Sequence, residues 1–377
     1  MKELKIDYER QRLFAGFDGN FCKVNPRILK NGNKALLVYT MLNLKGSDVF
    51  NDSYIAKSED GGVTFSEPKK LTLYQTEQDG IRKVNVPTCM FFHKRTNKFI
   101  SLGSILYYSD DTGPVRVNGH TKSTPTYQIL DFDKADYIDK PKTITLLDQT
   151  LCIPFGQPIE YDNGDVLLSF YGGVNGDDKT TVITALYSFD GENLSLIKAG
   201  KGLKNDNYQR GYSEPSVAKL NDKYYLTIRT DEMGLFSMSN DGFNFTEPTP
   251  WIWDNGEILE NYNTQQRWLR FKDGLYLAYT RRGANNDHIF RHRAPIFMAR
   301  FDEDNLCLIK STEVILVPEL GARLGNFNIT DVSKTESWLT TAEWMQTNAP
   351  KWWDYTFCEK FGSDNSIWIA KVKVINE

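Results

Sequence analysis

Apolar residues along this chain gather in short runs of about five, each set behind a polar turn. Asn31-Gly32 precedes Ala35-Leu36-Leu37-Val38-Tyr39, and Asp162-Asn163-Gly164-Asp165 precedes Val166-Leu167-Leu168-Ser169-Phe170. Asn221-Asp222 likewise leads into Tyr224-Tyr225-Leu226-Thr227-Ile228. The runs are rich in β-branched and aromatic residues, and the turns carry the Asn, Asp and Gly that reverse a chain. No segment holds a helical period for more than a few residues, so the pattern predicts an all-β protein. Grouping the hairpins gives six units that begin near residues 24, 84, 152, 210, 262 and 325. Their spacing of roughly 60 residues exceeds the usual period of β-ring repeats, which places the extra length in loops on one face. Residues 105–150 break the turn-strand rhythm. The charged residues 1–20 can lend a strand to the last unit. No linker or low-complexity stretch divides the chain, so residues 1–377 read as a single domain.

Two turns share a more specific pattern. Ser58-Glu59-Asp60-Gly61-Gly62-Val63-Thr64-Phe65 runs into Glu67-Pro68, and Ser239-Asn240-Asp241-Gly242-Phe243-Asn244-Phe245 runs into Glu247-Pro248. In each, an aspartate can accept hydrogen bonds from the turn backbone, and the glycines tolerate positive φ. The aromatic that follows can plug the space between sheet layers. The first stretch resembles the Asp-box (BNR repeat) of sialidase, or neuraminidase, β-propellers, and the second is a degenerate copy. The resemblance implies a six-bladed, sialidase-like β-propeller and a carbohydrate-directed function.

Bulk composition narrows the alternatives. The chain has 377 residues, 40% hydrophobic and 25% charged, which is ordinary for a globular protein that buries a large core. A net charge of −4 argues against nucleic acid or an anionic membrane as partner. Aromatics make up 13% of the residues, suited to sheet faces and to sugar stacking alike. The five cysteines (Cys22, Cys89, Cys152, Cys307 and Cys358) are scattered without metal-ligand spacing, so buried free thiols and no metal or other cofactor are expected. No apolar stretch follows the charges of Met1-Lys2-Glu3-Leu4-Lys5, which favours a cytoplasmic location. Oligomeric state leaves no signature.

The resemblance assigns candidate chemistry residue by residue. Asn25-Pro26-Arg27-Ile28-Leu29 is similar to the Arg-Ile-Pro motif that supplies the first of three arginines gripping a substrate carboxylate, although the following proline is missing. A planar guanidinium offers a carboxylate two parallel hydrogen bonds. Tyr212-Ser213-Glu214-Pro215, a hairpin, and Thr227-Ile228-Arg229-Thr230 precede the second box, in the order of the blade that carries the family's catalytic glutamate and second arginine. The resemblance thus implies Glu214 as a catalytic carboxylate and Arg229 as the second clamp. The segment from Arg281 to Pro295 is dense in ligand-type side chains, with Arg291 or Arg293 as the third clamp and His292 as a further contact. The general acid falls to Asp48 or Asp52, with Asp52 the better positional match. Gln157 is a candidate for the central funnel.

One departure matters. The family's nucleophile is a tyrosine in the last blade, yet no tyrosine occurs between Gly321 and Trp344. Asn326, Phe327 and Asn328 occupy the expected place, and an asparagine cannot form that covalent intermediate. Three functions therefore stay open: a glycoside hydrolase acting on a terminal acidic sugar, with Glu214 working through water; a non-catalytic glycan-binding propeller; and a uronate polysaccharide lyase with His288 or His292 as base. The aromatics Trp251 and Trp344 are candidate stacking surfaces.

Overall fold

The computed structural model describes residues 5–72, 76–147, 151–272, 274–348 and 350–375. Six antiparallel sheets follow one another along the chain and close into a ring. Their innermost strands are Phe21–Asn31, Ile81–His93, Leu151–Glu160, Ser213–Leu220, Arg267–Phe271 and Asn328–Ser333, which begin blades I to VI. Each innermost strand packs against those of the blades before and after it, and blade VI returns to blade I. The chain is a six-bladed β-propeller. The strand Lys5–Leu13 pairs with the last strand, Ile367–Ile375, and supplies the outer edge of blade VI. Sheet edges are thereby paired across the two ends of the chain.

The apolar runs bury themselves between blades. One cluster joins Cys89, Ile100 and Tyr127 of blade II to Leu168, Phe170 and Tyr187 of blade III. Another joins Leu269 and Met298 of blade V to Ile329, Leu339 and Val372 of blade VI. Trp251, expected as a stacking surface, is fully buried against Phe236, Trp268 and Phe301. All five cysteines are free and buried.

In the first of the two Ser-x-Asp turns, Asp60 accepts from the amides of Val63 and Thr64 at 3.0 and 2.9 Å and from the Thr64 hydroxyl at 2.6 Å. In the second turn Asp241 accepts from the amides of Phe243 and Asn244, each at 2.8 Å. These donors hold both carboxyls well below the usual carboxylate range. Gly62, at φ +88, lies so close to blade VI that a Cβ would stand 2.5 Å from Trp338 Cη2.

The irregular stretch between residues 105 and 150 is an insertion. A two-stranded ribbon, Arg116–Val117 with His120–Thr121, grows out of blade II ahead of its third strand, Ser123–Asp131. The blade's outer edge is split between Asp136–Tyr137 and Lys142–Thr143. A further regularity sits at the inner rim. A residue with left-handed backbone occurs in or just ahead of the inner strand of five blades: Asn25, Gly156, Glu214, Asn263 and Asn326. In blades I, III and IV it coincides with a bulge, which breaks the alternation and turns the following side chains toward or away from the ring axis.

Candidate active site

These rim irregularities surround a cavity of about 850 Å³ lined by residues from all six blades. Glu214 lies in its wall, 8% exposed, at the bulge of blade IV. Its backbone φ of +46 is uncommon for glutamate, and the blade holds it there. Across the hairpin, Arg229 is registered opposite Ser213 and brings Nη1 to 2.8 Å from Glu214 Oε2. The contact is one of charge at short range, because Oε2 has no aligned hydrogen-bond donor. Burial pushes the Glu214 carboxyl up, but Arg229, then Arg293 and Arg267, more than reverse this and hold it below its ordinary value.

Asn263 ties two of the arginines together. Its side-chain oxygen accepts from Arg229 Nη2 at 2.5 Å, and its carbonyl accepts from Arg293 Nη2. Arg27 is fixed by three carbonyls: Thr88 at 2.8 Å, and Pro26 and Asn326 at 3.1 Å. Asn326 lines the cavity and contributes its backbone oxygen here. Burial, then repulsion from Arg267, lowers Arg27 to about 9; burial, then Arg229, lowers Arg293 to about 9. Both remain cationic at neutral pH, and each is poised to gain from an incoming anion.

Of the two candidate acids, Asp48 lines the cavity and Asp52 does not. Asp48 occupies the loop ahead of the third strand of blade I, with φ of +56 and its carbonyl held by the Tyr108 hydroxyl at 2.8 Å. Asp52 lies within that strand, Phe50–Ser58, and pairs with Lys70 of the outer edge at 2.7 Å. The loop reaches inward and the strand faces its neighbour, so distance along the chain from Arg27 is a poor guide. Gln157 is likewise not in the cavity wall. It is buried, donating to the Trp268 carbonyl at 2.6 Å and accepting from Ser216 at 2.9 Å, and so links blades III, IV and V. His292 is held outside the wall by the Tyr262 hydroxyl at 2.7 Å and Asp287 at 3.1 Å. His288 pairs with Glu319 at 3.0 Å and stacks on Phe361, also away from the cavity. Neither histidine stands where a lyase base is needed.

Several cavity residues escaped the sequence-based assignment. Arg323 lies over the Trp344 ring at 3.3 Å and near Phe290 at 4.8 Å, with burial forcing it well below the ordinary arginine value. Arg267 is buried beneath the site, 4.1 Å over the Phe155 ring. Tyr171 brings a phenol into the wall from blade III, where burial and then the negative field of Glu214 raise its pKa. Arg116 and His120 arrive on the inserted ribbon. The signal for Arg323 is the close pairing of its strand segment with Trp344, a contact made only on folding.

The architecture is that of the sialidase-like propellers. No family model and no curated protein matches the chain. Among solved structures it is similar over 98% of its length to a protein of unknown function from Dyadobacter fermentans, covering 99% of that chain at 15% identity and a TM-score of 0.66. It is similar over 98% of its length to the Trypanosoma rangeli sialidase solved as a covalent intermediate with 2,3-difluorosialic acid, at 12% identity and a TM-score of 0.62, spanning 58% of that longer chain. An α-L-arabinofuranosidase from Fusarium graminearum shares 15% identity over 94% of both chains, with a TM-score of 0.56. At these identities the likeness establishes the fold, a scaffold used by glycoside hydrolases, and leaves the activity to be argued from the site.

Proposed function

We propose that the protein is a glycoside hydrolase that acts on a glycan ending in a carboxylate-bearing sugar. The observation that carries this reading is the convergence of Arg27, Arg229 and Arg293 on one cavity beside a buried, ionised Glu214. A carboxylate entering there meets preorganised guanidinium groups that neither move nor recruit water to receive it. Asp48, on its loop at the cavity edge, is the group to protonate the departing glycosidic oxygen. Glu214, ionised in the cavity wall, is the carboxylate to take the proton of the attacking water. This route needs no tyrosine in the last blade.

A second reading has one observation in its favour. Arg229 already engages Glu214, and a carboxylate held by its own clamp suits a glycan-binding propeller that does not cleave. Fluorogenic glycosides of sialic acid, of related ulosonic and uronic acids and of neutral sugars separate the two. Turnover of an acidic glycoside, lost in Arg229→Ala and Glu214→Gln, supports hydrolysis. Binding of acidic sugars without turnover supports the second reading, and turnover confined to neutral glycosides refutes the carboxylate clamp.

A further inference from the structure

The cavity holds more positive charge than one carboxylate can use. Arg229 is matched by Glu214, and Arg210 by Asp231. Arg27, Arg291, Arg293 and Arg323 also line the cavity, and among the described residues none of them forms an ion pair with a carboxylate. Three of these are almost wholly removed from water: Arg27 is 2%, Arg293 4% and Arg323 5% exposed. Arg293 and Arg323 each keep a buried Nε without a hydrogen-bond partner. A guanidinium does not shed its proton to escape burial, so such a site is completed by an anion from outside.

The unpaired arginines fall into two groups. The charges felt by Arg27 are those of Arg267 and Glu214, at the inner end of the site. Those felt by Arg323 are Arg293, Asp48 and Arg291. Arg291, exposed and with its guanidinium 5.0 Å over Phe290, shares that aromatic with Arg323. Arg293 stands between the groups. At about 850 Å³ the cavity also lies near the upper end of the ~300–1,000 Å³ range of ligand sites, more than a single sugar ring fills.

We propose that Arg291 and Arg323 form a second anion subsite, so that the preferred ligand carries two consecutive carboxylate-bearing sugars. The proposal rests on the reading of Arg27, Arg229 and Arg293 as the clamp for the first. The second carboxylate meets Arg323, braced by Trp344 and Phe290, and the exposed guanidinium of Arg291, while its ring lies along the aromatic faces.

Calorimetric titration of the whole protein at low ionic strength tests this, with sialic acid against its two-unit α2,8-linked form and galacturonic acid against digalacturonic acid. The expected result is that, for one of these sugar kinds, the two-unit probe binds about ten- to hundredfold more tightly than the single unit, the effect of one added charge-assisted contact. That ratio collapses toward one in Arg291→Ala, whose side chain is exposed and whose loss leaves the core intact, and in Arg323→Gln. A ratio near one in the wild type for both sugar kinds overturns the proposal, as does a ratio that survives both substitutions. Single-unit binding lost in Arg229→Ala shows the clamp intact whatever the ratio, so the second subsite can fail alone. Absence of binding by every acidic probe overturns the clamp and this inference together.

Discussion

Arg229→Ala offers the sharpest test of how the site is held together. Glu214 is 8% exposed, and its nearest countercharge is Arg229 Nη1 at 2.8 Å. Removing one partner of a buried pair usually costs about 3–5 kcal/mol, because the survivor keeps its desolvation penalty. Two effects reduce the cost here. Arg293 and Arg267 still face Glu214, and the repulsion between Arg229 and Arg293 disappears. The lower figure of about 3 kcal/mol therefore applies. With an unfolding entropy near 2.1 cal/mol/K per residue, a chain of 377 residues loses about 4 °C in Tm. The pH dependence changes sign as well. In the wild type the folded Glu214 titrates below its ordinary 4.5, so its contribution is fully present above that pH and is lost as pH falls through the lower folded value. In Arg229→Ala burial dominates and the folded value rises above 4.5; the contribution is then present below that pH and is lost as pH rises through the raised value. Differential scanning calorimetry from pH 3.5 to 8 measures both effects. A Tm unchanged to within about 1 °C, with the wild-type slope in acid, would mean that Glu214 is solvated in solution and refutes the reasoning.

Further substitutions separate roles within the site and the fold. Asp48→Asn should lower kcat on an acidic glycoside at least about a hundredfold, while Asp52→Asn changes it less than about threefold; the opposite order would return the acid to the strand. Tyr171→Phe should keep kcat within about tenfold, since water is the proposed nucleophile, and a loss beyond a thousandfold would assign the phenol a covalent role. Gly62→Ala places a methyl 2.5 Å from Trp338 Cη2 at a φ of +88, and urea denaturation should show a loss of about 2–3 kcal/mol. No measurable loss would mean that the turn and blade VI are not packed together.

The blades could be read from sequence because each repeats the same local grammar of polar turn and apolar run, and their inner strands begin close to the expected positions. Glu214 and Arg229 could be read because one tight hairpin brings both to a single rim, leaving little freedom between them. Asp48 and Asp52 could not be separated that way. Four residues apart, one lies in a loop with left-handed backbone and the other at a register shift within the strand, and neither irregularity is written in the local pattern. Gln157 misled for a related reason, since Gly156 at φ +89 turns the chain so that the amide is spent on neighbouring blades. Arg323 and Tyr171 join the cavity through contacts across blades that no local pattern announces.

The strand that completes blade VI has a temporal consequence. Lys5 pairs with Ile375 and Leu13 with Ile367, so this strand leaves the ribosome well ahead of its partner, whose residues lie far later in the chain. At about 5–20 residues per second that interval is roughly 20–70 s. Throughout it, a nine-residue strand waits with its hydrogen-bonding edge unfilled. Its sequence, Lys5-Ile6-Asp7-Tyr8-Glu9-Arg10-Gln11-Arg12-Leu13, places a charged or amide side chain at every position but three. That density of charge is a safeguard for the nascent chain: it discourages the waiting strand from joining a stranger's sheet before its own is made.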